Sequence, residues 1–593
     1  MSESESPNAK VLKGGEFVIK NAATDSIFAP SEVSDEQSMI RKSCLDFVLN
    51  DVQPRGQKLE NQLDLLKKSA ELGLLGAHIP EQYGGIELDS NTNTMILEEL
   101  GKGGGSFDTS FAAHTGIGML PILYYGTEDQ KKKYLPAMCD GSLIGAYCLT
   151  EPGSGSDALA AKTKAVLSPD GNHYLLSGQK MWISNAGFAG VFIVFAKIDG
   201  EHFTAFIVDR ESEGLTFGEE EDKLGIKGSS TRQVFFENVK VPKENLLGEV
   251  GKGHLIAFAV LNIGRFKLAA MCMGGAKYST EMSVKYANER NQFGKPIASF
   301  GAIKYKLSEQ VIRIYALESA VYRTSHLMQE MRSQLIGEGM DYATSLQEAA
   351  EEYAIECAIL KVYGSEVLDY VVDELLQIYG GYGYSEEYKP AGIYRDTRIN
   401  RIYEGTNEIN RLLMINMLMK KAMRGELDLT GPAWEVQKEL TGMPSFKSPQ
   451  GVLAEEEQAV SHMKKVFLLT SGAAVKYQMD GKHDLKNEQM ILTNIADILL
   501  DTYVAESLLL RIKKEFSESE SEVSTAILST YLSDAQNRIA KNANDALSSF
   551  AKGDELKIMK MGVQRFSKYP TPNVRNNRTL IAQKMTEANA YCF

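Results

Sequence analysis

The chain has 593 residues, of which 43% are apolar and 24% charged, and it carries a formal net charge of −14. That composition is ordinary for globular domains. The acidic balance excludes general nucleic-acid binding, whose affinity comes from neutralising phosphates, so no nucleic-acid partner is expected.

The length predicts roughly three or four domains, and no run reaches the ~20 apolar positions expected of a membrane helix. The opening "MSESESPNAK" has neither the apolar core of a secretory signal nor the Arg-rich, acid-poor character of a mitochondrial leader, so a cytoplasmic protein is expected. Residues 1–33 are polar and are expected to be loosely ordered. Ser34-Asp35-Glu36-Gln37 then reads as a capping box, opening a helical domain over 34–141 whose apolar residues recur at helical spacing. Between 142 and 250 the texture changes to short β-rich runs, "GVFIVFAKI", "FTAFIV" and "RQVFFENVKV". These alternate with turns at Pro169-Asp170-Gly171 and Asp199-Gly200, the second predicting a hairpin.

Helical spacing returns over 251–424. The segment "HLIAFAVLNIGRFKLAAMCMGG" (254–275) is apolar nearly all round and predicts a buried helix. Its fixed charges are Arg265, which calls for a dedicated partner or an anionic ligand, and Lys267, which could snorkel outward. Residues 425–455 are rich in Pro, Gly and Ser and read as a linker. A further helical domain follows over 456–593, interrupted by the acidic loop "SESESEVS" (517–524). Residues 557–584 hold seven basic side chains and no acid. That stretch reads either as a counterweight on a solvated face or as peripheral contact with membrane headgroups. The fold class is therefore mainly α with a central β domain.

The six cysteines (Cys44, Cys139, Cys148, Cys272, Cys357, Cys592) are scattered, without a C-x-x-C pair, and the eight histidines show no ligand spacing. Buried thiols are expected and a metal site is not. No phosphate loop, strand-anchored G-x-G-x-x-G or G-x-S-x-G elbow is present. What remains is a set of small motifs. "AYCLTEPGSGSD" (146–157) runs a strand into a Gly/Ser turn, which is either an ordinary hairpin or a set of donors for a planar or anionic ligand. "GQKMWISNAG" places Trp182 beside Ser184 and Asn185, as a core aromatic or as a platform for a ring. "NERNQFGKPI" sets Arg290, Gln292 and Phe293 at a helix end. "IYEGTNEIN" (402–410) puts Glu404 directly before Gly405, Thr406 and Asn407, either as a helix start or as a catalytic base on a turn.

Taken in order, "YCLTEPGSGSD", "GQKMWISN", "KLGIKGSSTRQVFFENVKVP", "ERNQFGKPI", "QIYGGYGY" and "IYEGTNEI" resemble the acyl-CoA dehydrogenase family across residues 35–420. The long helical extension is similar to that of its very-long-chain branch. The resemblance implies an N-terminal helical domain, a β-barrel-like middle domain and a C-terminal four-helix bundle, with FAD between them and an extra helical domain behind. It implies dehydrogenation of a fatty acyl-CoA substrate to the trans-2-enoyl-CoA in β-oxidation, a homodimer, and electron-transfer flavoprotein as partner.

By the same resemblance, Tyr147, Leu149, Thr150 and Ser156 line the flavin, and Ser156 also reaches substrate. Trp182 and Ser184 pack on and bond the ring. Arg290, Phe293, Gln377, Gly380 and Gly381 hold the FAD of a neighbouring subunit, and Thr406 and Asn407 contact the dinucleotide. Asn262 and Arg265 match the CoA-binding pair, although family members often have aspartate at the first. Glu404 is the general base, and its own backbone N–H polarises the thioester beside Gly405. The family places its base either on this turn or just before the buried arginine. Here those positions are Glu404 and Gly264, so the base is present once. The other readings are an acyl-CoA oxidase using oxygen and a scaffold protein that keeps the fold.

Overall fold

The computed structural model describes residues 11–442, 449–516 and 521–593. The chain opens with helices, passes through one mixed sheet and returns to helices. Helix α1 (Asp35–Phe47) starts at the predicted box, where Ser34 Oγ accepts the Gln37 N–H and the Gln37 side chain accepts the Ser34 N–H. Helix α2 (Ser90–Leu100) is capped by Asp89 and is buried along most of its length. Its Glu98 and Glu99 are neutralised by Arg41, Lys102 and Lys277. Helix α3 (Gly105–Ala112) runs on into a π-helical turn, Ala113–Gly118.

The sheet comprises β1 (Gly145–Cys148), β2 (Lys164–Leu167), β3 (His173–Ser184), β4 (Val191–Ile198), β5 (His202–Asp209), β6 (Leu215–Glu220), β7 (Thr231–Pro242) and β8 (Leu246–Leu247). Its order is β6-β7-β3-β2-β4-β5-β8, and β1 adds in parallel to β4. The predicted β4–β5 hairpin is present, with Ile198 opposite His202 and both turn residues left-handed (Asp199 φ 53°, Gly200 φ 78°). That geometry matches the twist of paired strands. A register shift lies between Lys180 and Ile183 near the end of β3. It turns the Trp182 segment out of the ladder, as bulges do beside functional sites.

Four long helices form the bundle: α4 (Gly253–Glu289), α5 (Gly301–Gly337), α6 (Ala354–Tyr379) and α7 (Asn407–Met423). Helix α4 crosses α2 almost backbone to backbone. A Cβ at Gly274 would stand 1.8 Å from the Glu98 carbonyl oxygen, and one at Gly101 would stand 2.1 Å from that of Met271. Contrary to the expectation from sequence, α4 is long and apolar enough to cross a membrane, with a window of mean hydropathy 1.6. Two thirds of that window is buried inside the protein (67%), because α4 is the central helix of the bundle.

The extension forms part of the same core. Residues 425–455, expected as a linker, contain helix α8 (Thr430–Thr441), and 443–448 of that stretch lie outside the described residues. Helices α9 (Ala454–Met479), α10 (Gln489–Phe516), α11 (Glu522–Phe550), α12 (Gly553–Phe566) and α13 (Val574–Ala588) follow. One hydrophobic cluster runs from Phe17 through the bundle to Met585. Buried ion pairs cross the seam, Arg323–Glu506 at 2.8 Å and Arg511–Glu318 at 2.8 Å, with Lys464 also on Glu506.

The N-terminal segment was expected to be loose. Residues 1–10 lie outside the described residues, but 11–33 are tied down. The Gly14 and Gly15 N–H groups donate to Glu352 and Glu356, and Phe17 packs edge-on against Tyr503 at 4.8 Å. Phe17, Val18, Ile27 and Ala29, spaced through polar residues, supply the apolar anchors. Of the acidic loop, 517–520 lie outside the described residues, and Ser521 caps α11. Within 557–584, Lys557 pairs with Asp554, Arg565 with Glu439, and Arg578 with Glu309 and Asp534, while Lys584 lies over the Phe593 ring. These pairings fit the counterweight reading. Cys44, Cys139, Cys148, Cys272 and Cys357 are buried free thiols, and Cys592 is half-buried.

Removing one member of a buried ion pair strands the other, at a cost of about 3–5 kcal/mol. Glu506→Gln is therefore expected to lower the thermal midpoint and to raise hydrogen exchange in α5 and α10 together. An unchanged melt would show that this pair does not hold the extension to the bundle.

Candidate active site

The site is built around one turn. After the 3₁₀ turn Arg398–Arg401, Glu404 and Gly405 are both left-handed (φ 57° and 80°), and Thr406 then caps α7 by accepting the Ile409 N–H at 3.2 Å. A glutamate in that region is strained and persists only where its surroundings fix it. Asn410 Nδ2 donates to the carbonyls of Glu404 (3.3 Å), Gly405 (2.8 Å) and Thr406 (3.1 Å). From α6, Lys361 Nζ donates to the Gly405 carbonyl and to Asn407 Oδ1, both at 2.7 Å. Asn407 Nδ2 in turn donates to Ser365 and Glu366. Arg265 Nε reaches the Glu404 carbonyl at 3.4 Å.

The Glu404 carboxyl lies directly over α4 at Gly264. A Cβ added there would stand 2.7 Å from Oε2 and 3.1 Å from Cδ. The missing side chain thus makes room for the carboxyl itself. Oε2 is buried without a hydrogen-bond partner. Burial pushes the Glu404 pKa up to about 7, against the opposing charges of Arg265 and Lys361. Among the described residues the Glu404 N–H donates to no protein atom. An unpaired acceptor and an unpaired donor on one residue leave both available to a ligand.

Glu404, Gly264 and Ser184 open on a cavity of about 520 Å³. Its walls between α3 and α4 include Ala112, Ala113, Leu268 and Met271, with Asp108 and Lys267 as charged exceptions. Alanines on one side and the longer Leu268 and Met271 on the other give an apolar slot of the size that takes small-molecule ligands.

The strand ends bring a second group together. Lys180 Nζ, fully buried, donates to the Leu149 carbonyl and pairs with Glu151 at 2.7 Å, while the Met181 N–H donates to the Thr150 carbonyl at 3.0 Å. Tyr147 is buried against Phe195, with its hydroxyl 3.4 Å from the Ala257 carbonyl, and Leu149 is buried behind Thr150. Trp182 is left-handed (φ 60°) and 53% exposed, so it is no core aromatic. Ser156 stands exposed on a turn where a Cβ at Gly153 or Gly155 would meet nothing within 4 Å. An exposed ring, an open glycine turn and the hydroxyls of Thr150 and Ser184 beside an unpartnered carboxyl fit a planar cofactor with a polar tail.

A third patch lies at the end of α4. Arg290 sits 5.6 Å over the Tyr382 ring, in a cavity of about 630 Å³ that Gly380 and Gly381 also line. Phe293 is 92% exposed on the adjoining hairpin turn, and Gln377 is exposed. None of these five lines the cavity at Glu404. Glu387 and Tyr388 line both cavities, so the two adjoin.

Asn262 Oδ1 accepts from Arg265 Nη1 at 2.8 Å, and Arg265 also reaches the turn at Glu404. One expectation changes. Lys267 does not snorkel. It is buried, donates to the Thr115 carbonyl at 3.0 Å, and burial alone pulls its pKa down to about 7. Sequence reasoning missed Lys361 and Asn410, which fix the turn, and the Lys180–Glu151 pair, which ties the strand ends. Lys361 carried a signal like that of Arg265, a cation within an apolar stretch of helix.

Residues 34–142 match the N-terminal domain of acyl-CoA dehydrogenases, 146–239 the middle domain, and 251–419 and 462–565 two C-terminal domain descriptions of the same enzymes. A probable acyl-CoA dehydrogenase of Bacillus subtilis (strain 168) is 46% identical over 592 residues, covering 98% of this chain and 99% of that one. The human mitochondrial very long-chain specific acyl-CoA dehydrogenase is 34% identical over 530 residues, covering 84% of this chain and 78% of that one. The crystal structure of a Bacillus anthracis acyl-CoA dehydrogenase complexed with FAD superposes with a TM-score of 0.95 at 45% identity, over 98% of this chain and 100% of that one. With its domains, its turn and its cavity in that arrangement, the chain belongs to the acyl-CoA dehydrogenase family.

Proposed function

We propose that this chain, as a homodimer in the cytoplasm, binds FAD and dehydrogenates long-chain fatty acyl-CoA at the α,β bond, with Glu404 as general base and electron-transfer flavoprotein as electron acceptor. The observation that carries the base assignment is the buried, unpartnered Glu404 Oε2 over Gly264. The FAD-bound relative and the exposed Trp182 platform beside Thr150 and Ser184 support the cofactor, and the very long-chain relatives support the substrate class.

Thr150, Ser156, Trp182 and Ser184 would hold FAD, with Thr406 beside it and with Arg290, Phe293, Gln377, Gly380 and Gly381 of a second subunit completing the cradle. Asn407 is engaged with Lys361, Ser365 and Glu366 and serves by fixing the turn. Bound there, FAD supplies the acceptor for the hydride leaving the β-carbon.

The α-proton of a thioester is weakly acidic, so its removal needs both a base and a donor at the carbonyl oxygen, where charge develops. Glu404 offers both on one residue, the carboxylate taking the proton and its free N–H facing the oxygen. A carboxyl with pKa about 7 is ionised for part of the population at neutral pH and still basic enough to accept the proton. The apolar slot excludes water and orients the chain, which converts an improbable encounter into a positioned transfer.

Glu404→Gln is expected to keep FAD and acyl-CoA binding and to lose bleaching of the flavin under anaerobic conditions by about 10²-fold or more. Near-normal bleaching would overturn the base assignment, and rapid recolouring in air without electron-transfer flavoprotein would favour an oxidase.

Because the base must be ionised, the bleaching rate should rise with pH through about 7 and then level. Lys361 lowers the Glu404 pKa, so Lys361→Met should move that limb to higher pH. A shift to lower pH, or none, would separate Lys361 from the base.

Gly264→Ala drives a methyl into the carboxyl. A displacement of about 1 Å can cost 10²-fold in rate, so kcat should fall by about that factor with FAD content unchanged.

A further inference from the structure

The slot beyond Glu404 follows one face of α4. Gly264, Leu268, Met271, Gly275 and Tyr278 all line it, and the helical rise makes that stripe about 21 Å long. Asp108, on α3, stands in the wall of this slot, and the mechanism has no use for it. Its Oδ1 is buried without a hydrogen-bond partner, and among the described residues no protein donor bonds to the carboxyl. A carboxylate in the first turn of a helix ordinarily caps a free backbone N–H. Asp108 stands in that turn and caps nothing.

The groups around it are engaged elsewhere. Lys102 pairs with Glu99, Arg395 with Glu386, and Lys267 donates to the Thr115 carbonyl. Thr109 Oγ1 donates to the Gly105 carbonyl at 2.7 Å and the Tyr403 hydroxyl to Asn400 at 2.6 Å. Asp396 accepts the Ile226 N–H. Burial first, and then the neighbouring Asp396, hold the Asp108 pKa well above the ordinary carboxyl value. It therefore faces the slot as a neutral acid with a donor and acceptors unspent. A plain methylene chain laid along the slot would shut water out and offer no partner in its place.

The depth of Asp108 follows from α4. It is close enough to Cys272 to join burial in pushing up that thiol's pKa, and both residues line the cavity. Cys272 lies eight positions after Gly264, which is about 12 Å along the helix. An extended chain advances about 1.2 Å per bond. A chain whose α-carbon lies at Glu404 thus brings about its twelfth carbon beside Asp108.

Resting on the acyl-CoA reading above, we propose that Asp108 receives a hydroxyl group carried part-way along the acyl chain, so that mid-chain hydroxyacyl-CoA thioesters are a substrate class of this enzyme. The hydroxyl is a spectator. The same α-proton and β-hydride leave, while the hydroxyl donates to one carboxyl oxygen of Asp108 and accepts the acid proton in return. An anionic group at that depth would instead meet two carboxyls and no free cation.

The test uses the FAD-loaded Glu404→Gln protein, which binds without turnover, and calorimetry with one long acyl-CoA, plain or hydroxylated at successive carbons. Binding should be tightest with the hydroxyl at about carbon 12, should there at least match the plain chain, and should fall away on either side. Adding Asp108→Leu should weaken that isomer relative to the plain chain by about tenfold or more. Asp108→Ala should do the same without crowding the slot, and Asp108→Asn, which keeps a donor and an acceptor in place, should retain most of the preference. Two results would overturn the proposal: weaker binding than the plain chain at every hydroxyl position, or a preference that Asp108→Leu and Asp108→Ala leave intact. If plain acyl-CoA neither binds here nor bleaches the unaltered enzyme, the dehydrogenase reading itself fails, and this inference falls with it.

Discussion

The strained turn at Glu404 and Gly405 is the constraint on which the site depends. Two consecutive left-handed residues cost backbone energy, and the second is a glycine while the first is not. What holds them is a set of donors aimed at the turn's carbonyls: Asn410 from within α7, Lys361 from α6 and Arg265 from α4. Three helices thus meet at one turn. Their packing, including the close approach of Gly364 on α6 to Ala269 on α4, decides where the carboxyl points. The bundle acts on the chemistry through these contacts.

The C-terminal extension belongs to that same support. It shares one hydrophobic cluster with the bundle, and its α10 places Glu506 and Arg511 against Arg323 and Glu318 of α5. Arg411 on α7, seven residues after Glu404, pairs with both Glu366 on α6 and Asp497 on α10. The N-terminal residues 11–33 close over the seam, with Lys464 donating to the Lys20 carbonyl and Lys514 to that of Ile27. A chain that carried the extension as a separate module would show a dry seam of its own. Here the ion pairs and apolar side chains cross it instead.

Much of this was legible in the sequence because the relevant signals are local. The Ser34 capping box, the Asp199-Gly200 hairpin and the apolar run of α4 each depend on residues within a few positions of one another. Glu404 was legible from its turn residues and from the glycine at 264. What was missed depends on distant pairs. That Lys361 serves the turn, or that Lys180 ties β1 to β3, is a fact of packing that no window of sequence contains. Lys267 went the other way. A lysine on a helix is expected to reach solvent, but α4 is enclosed, so the stem had nowhere to go except along the cavity wall. The expected linker and loose N-terminus failed for a related reason, since a few apolar anchors among polar residues suffice when a ready-made groove receives them.

The placing of the cations around Glu404 carries a last physical point. Burial alone would hold this carboxyl protonated, and a direct ion pair would make it too weak a base. Arg265 and Lys361 do neither, because the hydrogen bonds they make go to the backbone carbonyls of Glu404 and Gly405 and to Asn262 and Asn407, and none goes to the carboxylate. They are near enough to oppose desolvation electrostatically and are held off from bonding by the strained turn. The result is a pKa of about 7 with an oxygen left free. The backbone strain points the carbonyls toward the cations and leaves Oε2 of the side chain unpartnered. A relaxed turn would let the carboxylate fold onto Arg265, and that free oxygen would be lost to a salt bridge.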